Sequence, residues 1–142
     1  MPEAASTRVS RLGRKVRVLI ADDHAVIRTI VRSTLQVHPE IEVCGEAKDG
    51  AEAIEVAKKL KPDVVVLNVT MPVLNGFEAA REIKTILPES SIIILSSHAD
   101  REFVEEAKKI GVRAYVSKTK ASEALVEAVE AAVKGEDFVL IE

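Results

Sequence analysis

The chain has 142 residues, 47% hydrophobic and 30% charged, with 6 Gly, 5 Pro and one Cys. That is the size and composition of one folded domain, and it excludes a disulfide framework and a Cys-based zinc site. The net charge of −3 divides unevenly, because residues 1–17 carry Arg8, Arg11, Arg14, Lys15 and Arg17 against Glu3 alone, which leaves the remainder acidic. Residues 1–15 are expected to form a basic, flexible leader, residues 16–135 a single domain and residues 136–142 a short tail. No apolar run nears the roughly 20 residues needed to cross a bilayer. The amino terminus also lacks the apolar core of a signal peptide, so no membrane insertion and a cytoplasmic location are expected. Aromatics are 3% with no Trp, which argues against base stacking on nucleic acid and against an aromatic-lined pocket.

After the leader, short β-branched runs alternate with helical periodicity. Residues 16–21 read as an apolar strand interrupted only by Arg17 and ended by Asp22-Asp23. Residues 24–37 then place Val26, Ile27, Ile30, Val31, Thr34 and Leu35 on one helical stripe. Residues 41–47 read as a second strand. Asp49 and Glu52 have the spacing of a capping box before a helix that buries Ile54, Ala57 and Leu60. The bare apolar run 64–67 suits a central parallel strand covered on both faces, and it ends at Asn68.

Residues 71–76 read as a loop with Pro72 and Asn75-Gly76. Phe77, Ala80, Ile83 and Leu87 follow at helical spacing. The fourth strand, 92–95, ends at Ser96-Ser97. Asp100 is expected to cap a helix with Phe103, Ala107 and Ile110 inward and Gly111 as its left-handed stop. The fifth strand, 112–116, ends near Lys118. Ser122 and Glu123 open a last helix that buries Leu125, Val129 and Ala132 or Val133. Strands separated by helices imply an α/β fold with a parallel sheet and helices on both faces.

In such sheets ligands bind beyond the carboxyl ends of the strands. Here those ends carry Asp22-Asp23, Asn68, Ser96 and Lys118. Adjacent carboxylates, an amide, a hydroxyl and an ammonium suit a hard divalent cation beside a phosphoryl group. Each residue alone has a plainer role as a cap or a solvated charge; their recurrence at four of five strand ends favours a site.

Asp22-Asp23-His24, Asn68-Val69-Thr70-Met71-Pro72 with Asn75-Gly76, Ser96-Ser97 and Ala114-Tyr115-Val116-Ser117-Lys118 together resemble the receiver domain of two-component response regulators, over roughly residues 16–135. The Asp-Asp-His start and the Lys-Thr after the fifth strand resemble the NarL/FixJ type. The resemblance implies a doubly wound, five-stranded parallel sheet of order 2-1-3-4-5, the flavodoxin-like receiver fold. It implies a Mg²⁺ held by Asp22, Asp23, residue 68 and the Thr70 carbonyl, with Asp22 acting mainly through water. It further implies phosphoryl contacts from Lys118 and Ser96, and a switch in which Tyr115 changes rotamer as Ser96 moves. The implied partners are a sensor histidine kinase or phosphotransfer protein and an output partner or DNA-binding domain. The exposed parts of the first and last helices leave room for a homodimer.

The family pattern has Asp where this chain has Asn68. A carboxylate attacks phosphorus to form an acyl phosphate, whereas an amide oxygen lacks the charge. No phosphorylation at residue 68 is therefore expected, and Mg²⁺ affinity is expected to be weakened. A natural pseudo-receiver and an inactivated variant of an ordinary receiver both carry such a substitution. The expected function is a non-enzymatic signalling module. The alternative is a small Mg²⁺-dependent phosphatase or phosphotransferase with Asp22 or Asp23 as nucleophile. A flavin-binding flavodoxin ranks last, because the first loop is Asp-Asp-His rather than a Ser/Thr/Gly-rich phosphate cradle. His24, His38 and His98 read as solvated or capping residues, and Cys44 as a small hydrophobe.

Overall fold

The computed structural model describes residues 13–98, 100–136 and 138–141. Most of the expected basic leader lies outside the described residues. Six strands, β1 (Val16–Ala21), β2 (Ile41–Ala47), β3 (Val64–Asn68), β4 (Ser91–Ser96), β5 (Ala114–Ser117) and β6 (Val139–Ile141), form one parallel sheet of order β2-β1-β3-β4-β5-β6. Five helices connect them: α1 (Ala25–Gln36), α2 (Gly50–Leu60), α3 (Gly76–Ile86), α4 (Arg101–Ile110) and α5 (Ala121–Lys134). The expected order 2-1-3-4-5 is present. The expected five-stranded core is present too, and a short sixth strand extends its edge where residues 139–141 pair with β5.

The side-chain period of two sorts the strands into two cores. Leu19, Val65, Leu67, Ile92, Ile94 and Tyr115 face α2, α3 and α4, whereas Val18, Ile20, Val64, Val66, Ile93 and Val116 face α1 and α5. Both faces are covered, which is why these strands read as unbroken apolar runs without alternation. Between Val18 and Leu19 the β1–β2 register shifts. Cys44 is the extra residue of this bulge, half-buried, and burial pushes its thiol up, in keeping with an inert small hydrophobe.

The helix ends differ from the sequence reading in several places. Asp49 caps α2 through the Glu52 N–H, but Glu52 reaches back to the N–H of Lys48 rather than to that of Asp49. The reciprocal capping box lies at Asn75 and Glu78. Asp100 stands at the cap of α4 without a side-chain bond; its carbonyl serves instead. Ser122 is not a cap, because a 3₁₀ turn, Lys118–Lys120, capped by Ser117, delivers the chain directly into α5. In α1 the expected stripe is too wide. Val31 and Leu35 are buried, whereas Val26 and Ile30 face solvent.

The loop between β3 and α3 is drawn tightly against its neighbours. A Cβ on Gly76 would stand 2.1 Å from the Asn68 carbonyl oxygen, and one on Gly50 would stand 2.1 Å from that of Leu74. Only glycine permits this approach. Between them Val73 has φ +69°, and the Leu74 N–H donates to the Pro72 carbonyl at 2.8 Å, the i→i+2 bond of a γ-turn. A β-branched residue in the left-handed region is strained. At the opposite edge of the sheet Asp63 receives two hydrogen bonds from Arg14, at 2.7 and 2.8 Å, and one from the Arg17 N–H. Arg17 also donates to the Leu60 and Lys61 carbonyls that end α2, which explains the one charge within β1.

Two outcomes are expected. Val73→Gly relieves the strained φ and raises stability by about 1 kcal/mol, or roughly 4 °C in Tm, readable by thermal unfolding; a lower Tm would refute the strain. Burial works against the Asp63 charge, but Arg14 and Arg17 outweigh it and hold the carboxyl below its ordinary value. Its contribution is therefore complete above the ordinary carboxylate range and is lost as pH falls through the lowered value. Acid unfolding below about pH 4 should be less steep in Asp63→Asn than in the parent chain.

Candidate functional site

The carboxyl ends of β1, β3 and β5 converge. Asp22 and Asp23 follow β1, Asn68 ends β3, and Lys118 opens the turn after β5. Asp22 is buried at 2% exposure, so its charge requires partners close by. Its Oδ1 accepts the His24 N–H at 2.9 Å, and the His24 Nδ1 lies 3.3 Å from Oδ1 atoms of both Asp22 and Asp23. The Lys118 ammonium stands 3.1 Å from Asp22 Oδ2. That oxygen has no hydrogen bond of proper geometry, so the Lys118 contact is an ion pair rather than a hydrogen bond. The Arg28 guanidinium donates to the Asp22 carbonyl at 2.7 Å and to Glu46 at 2.9 Å. Arg32 also donates to Glu46; the two guanidiniums outweigh the cost of burial and hold that carboxyl below its ordinary value.

Asn68 is 5% exposed and sits among these oxygens. Its Nδ2 donates to the Thr70 carbonyl at 2.8 Å and to Asp23 Oδ1 at 3.3 Å. Both partners are acceptors only, so the bonding network itself requires the amino end of the amide to face them. The donor set of Asp22, Asp23 and the Thr70 carbonyl fits a hard divalent cation, and the orphaned Asp22 Oδ2 is a buried oxygen lacking a hydrogen bond. The ligand atoms of Asp22, Asp23 and His24 lie within 4.8 Å of one another. Against this, the Asn68 amino group already donates to two of the oxygens that a cation would take.

The expected switch residues form a second, adjoining group. Ser96, 1% exposed, accepts the His98 N–H at 2.9 Å, and the Tyr115 hydroxyl donates to the His98 carbonyl. Tyr115 is fully buried, ringed by the α4 side of the core, with His98 and Phe77 each edge-on to Phe103. Burial raises the phenol above its ordinary value, the Ser96 hydroxyl lowers it, and the Asp100 charge adds to the rise.

The structure therefore brings Asp22, Asp23, Asn68, Thr70 and Lys118 together, and Ser96 with Tyr115 beside them. Sequence reasoning missed His24 as a link between the two carboxylates, Arg28 as the donor to the Asp22 carbonyl, and His98 as the backbone bridge between Ser96 and Tyr115. The Arg28 signal was its place one turn into α1, on the side facing β2. For His98 the sequence carries no signal, because its backbone does the bonding.

Among the described residues no helix is long and apolar enough to cross a membrane. Residues 18–130 match the response regulator receiver domain family. The chain is 37% identical over 121 residues to the transcriptional regulatory protein LiaR of Bacillus subtilis, covering 85% of this chain and 57% of LiaR. Over 82 residues it is 50% identical to the protein-glutamate methylesterase/protein-glutamine glutaminase of Pyrococcus abyssi, covering 58% of this chain and 22% of that protein. It thus spans about half the length, or less, of these relatives. The signal receiver domain of the response regulator NarL from Mycobacterium tuberculosis superposes with a TM-score of 0.82 at 33% identity, covering 87% of this chain and 99% of that one. The response regulator domain of Thermotoga maritima CheB gives 0.79 at 30% identity, covering 85% and 98%. With the acid cluster at β1, the amide at β3 and the lysine after β5 in one pocket, the chain belongs to the response regulator receiver domain family of two-component systems.

Proposed function

We propose that the chain is a pseudo-receiver: Asn68 stands at the phosphoacceptor position, and the domain signals through protein contacts without taking a phosphoryl group there. The observation that carries this reading is the Asn68 side chain itself, whose Nδ2 donates to Thr70 and Asp23 at the carboxyl end of β3. An acceptor must present an anionic oxygen to phosphorus. Residue 68 is neutral, and the amino end of its amide is directed at the neighbouring oxygens. Asp22, Asp23 and the Thr70 carbonyl would hold a Mg²⁺ ion, more weakly than a set with a third carboxylate, and such an ion would screen their charge. The chain's own residues already do part of this work: Lys118 pairs with Asp22, and Asn68 bonds to Asp23 and Thr70.

We read the domain as non-enzymatic and place it in the cytoplasm, with a sensor kinase or phosphotransfer protein and an output partner as its contacts. The competing reading, a phosphatase or phosphotransferase with Asp22 or Asp23 as nucleophile, is disfavoured by the engagement of both carboxylates. Asp22 is buried against Lys118 and His24, and Asp23, though exposed, is in contact with His24 and Asn68. The switch would be Tyr115 with Ser96, biased by whichever partner binds its two rotameric states unequally.

Two measurements test this reading. After incubation with a small-molecule phosphodonor and Mg²⁺, intact-mass analysis should show no phosphate on this chain and a single phosphate on Asn68→Asp; phosphate on the parent chain would overturn the reading. Replacing the amide also removes its two hydrogen bonds and adds a third carboxylate, so Asn68→Asp should be less stable by about 2 kcal/mol at neutral pH without Mg²⁺. Millimolar Mg²⁺ should raise the Tm of Asn68→Asp more than that of the parent. An equal or larger rise in the parent would show that Asn68 does not weaken the cation site.

A further inference from the structure

The family match ends at residue 130, yet the chain beyond α5 stays on the domain. Gly135, at φ +74°, ends α5 and turns the backbone. The Arg113 guanidinium, just ahead of β5, donates to the Gly135 carbonyl at 3.4 Å and to that of Glu136 at 3.0 Å. Phe138 packs, half-buried, against the core that holds Tyr115, with the Lys108 ammonium 5.3 Å from its ring centroid. Residues 139–141 then pair in parallel with Ala114, Tyr115 and Val116, and Ile141 packs against the opposite core. A strand this short, parallel and paired on one side is a weak addition to a sheet, and Leu140, the register partner of Tyr115, is still 43% exposed. The edge beneath it is strongly apolar: with β6 in place Ala114, Tyr115 and Val116 are at most 1% exposed. Were β6 to leave, β5 would present unpaired N–H and C=O groups beside apolar surface, which favours capture of another strand.

We propose that β6 is a displaceable, built-in occupant of a strand-binding edge on β5, and that the segment which replaces it is an extended stretch of a partner protein with an aromatic residue at the place of Phe138 and carboxylates at its ends. The inference rests on the receiver fold but not on the reading of Asn68, and its test involves no phosphoryl transfer. The chemistry of the occupant is read from what β6 itself satisfies. Main-chain hydrogen bonds to a sheet edge supply affinity, and alternate side chains supply specificity. Cations from three elements surround the entry of the strand: Lys108 of α4 at the Phe138 ring, Arg113 at the Glu136 carbonyl, and Lys134 of α5 3.6 Å from the Glu136 carboxylate. That arrangement selects acidic flanks and rejects basic ones. Because Leu140 lies opposite Tyr115, strands exchange at the switch tyrosine itself. The chain's own strand is therefore an internal competitor, and the edge is open to a partner only in the fraction of molecules whose β6 has detached.

The probe is a labelled peptide of the chain's own residues 136–142, Glu-Asp-Phe-Val-Leu-Ile-Glu, titrated by fluorescence anisotropy at low salt against the full chain and its Phe138→Ala/Ile141→Ala variant. The variant removes two side chains that anchor β6 in the cores. It should bind the peptide at least about tenfold more tightly than the parent, since the internal competitor is loosened. A peptide with Ala for Phe, or with Lys for its acidic residues, should bind the variant at least about tenfold more weakly. Hydrogen exchange should place the protection added by the peptide on β5. No binding to the variant, equal binding to both chains, or protection away from β5 each overturns the proposal. In the parent chain, amides that bridge β5 and β6 should exchange through a local opening, and those of β1 and β3 only through global unfolding. If the β5–β6 amides share the global route, the strand is not displaceable and the proposal fails, whether or not the variant folds. A variant that instead dimerises by exchanging β6 between copies, seen by sedimentation, assigns the edge to a second copy and refutes the heterologous partner.

Discussion

Two adjacent carboxylates stand at the carboxyl edge of a parallel sheet, one of them almost wholly removed from water, and the neutralisation of their charge is the constraint on which the surrounding structure depends. A buried carboxylate without donors is costly enough to unfold a domain of ordinary stability. Here the donors come from different elements: the ammonium from the turn after β5, the amide from the end of β3, the imidazole from the entry to α1, and a guanidinium from within α1 onto the Asp22 carbonyl. The pocket is thus also a tie between elements far apart in sequence. Its parts cannot be changed singly without moving the balance of charge for the others.

Asn68 extends that tie into the backbone. Its bond to the Thr70 carbonyl fixes the first residues after β3, the Gly76 N–H donates back to Val69, and the glycines at 50 and 76 let the intervening loop lie against its neighbours. The γ-turn at Val73 follows from closing so short a path. Local strain is therefore accepted one turn of chain away from the carboxylates, in the loop that joins the pocket to α3.

Much of this was legible in the sequence, for reasons that differ by element. The strands β1, β3 and β4 are apolar runs stopped by polar residues, and in a sheet covered on both faces that pattern has few other meanings. The strand ends also named Asp22, Asp23, Asn68, Ser96 and Lys118 as neighbours. Strand β6 was not legible, because three apolar residues after Gly135 carry no period of their own and owe their conformation to the free edge of β5. The exposure of Val26 and Ile30 was hidden for a similar reason: periodicity marks the apolar positions of a helix, but the width of the covered stripe is set by the elements it meets. The direction of the Asn68 amide was beyond reach as well, since it is decided by acceptors brought in from Asp23 and from the Thr70 backbone.

Tyr115 is the chain's one tyrosine, and there is no tryptophan. It is also fully buried, with its hydroxyl held by the carbonyl of His98. With excitation to the red of the phenylalanine band, the ultraviolet emission of this protein therefore originates from a single ring at the junction of β4, α4 and β5. Spectroscopically the molecule carries its own site-specific label. Emission reports whether that corner is intact, while the amide signal in the far ultraviolet reports the sheet and helices as a whole. Coincidence or separation of the two during unfolding reads directly whether the Tyr115 corner comes apart together with the rest of the domain.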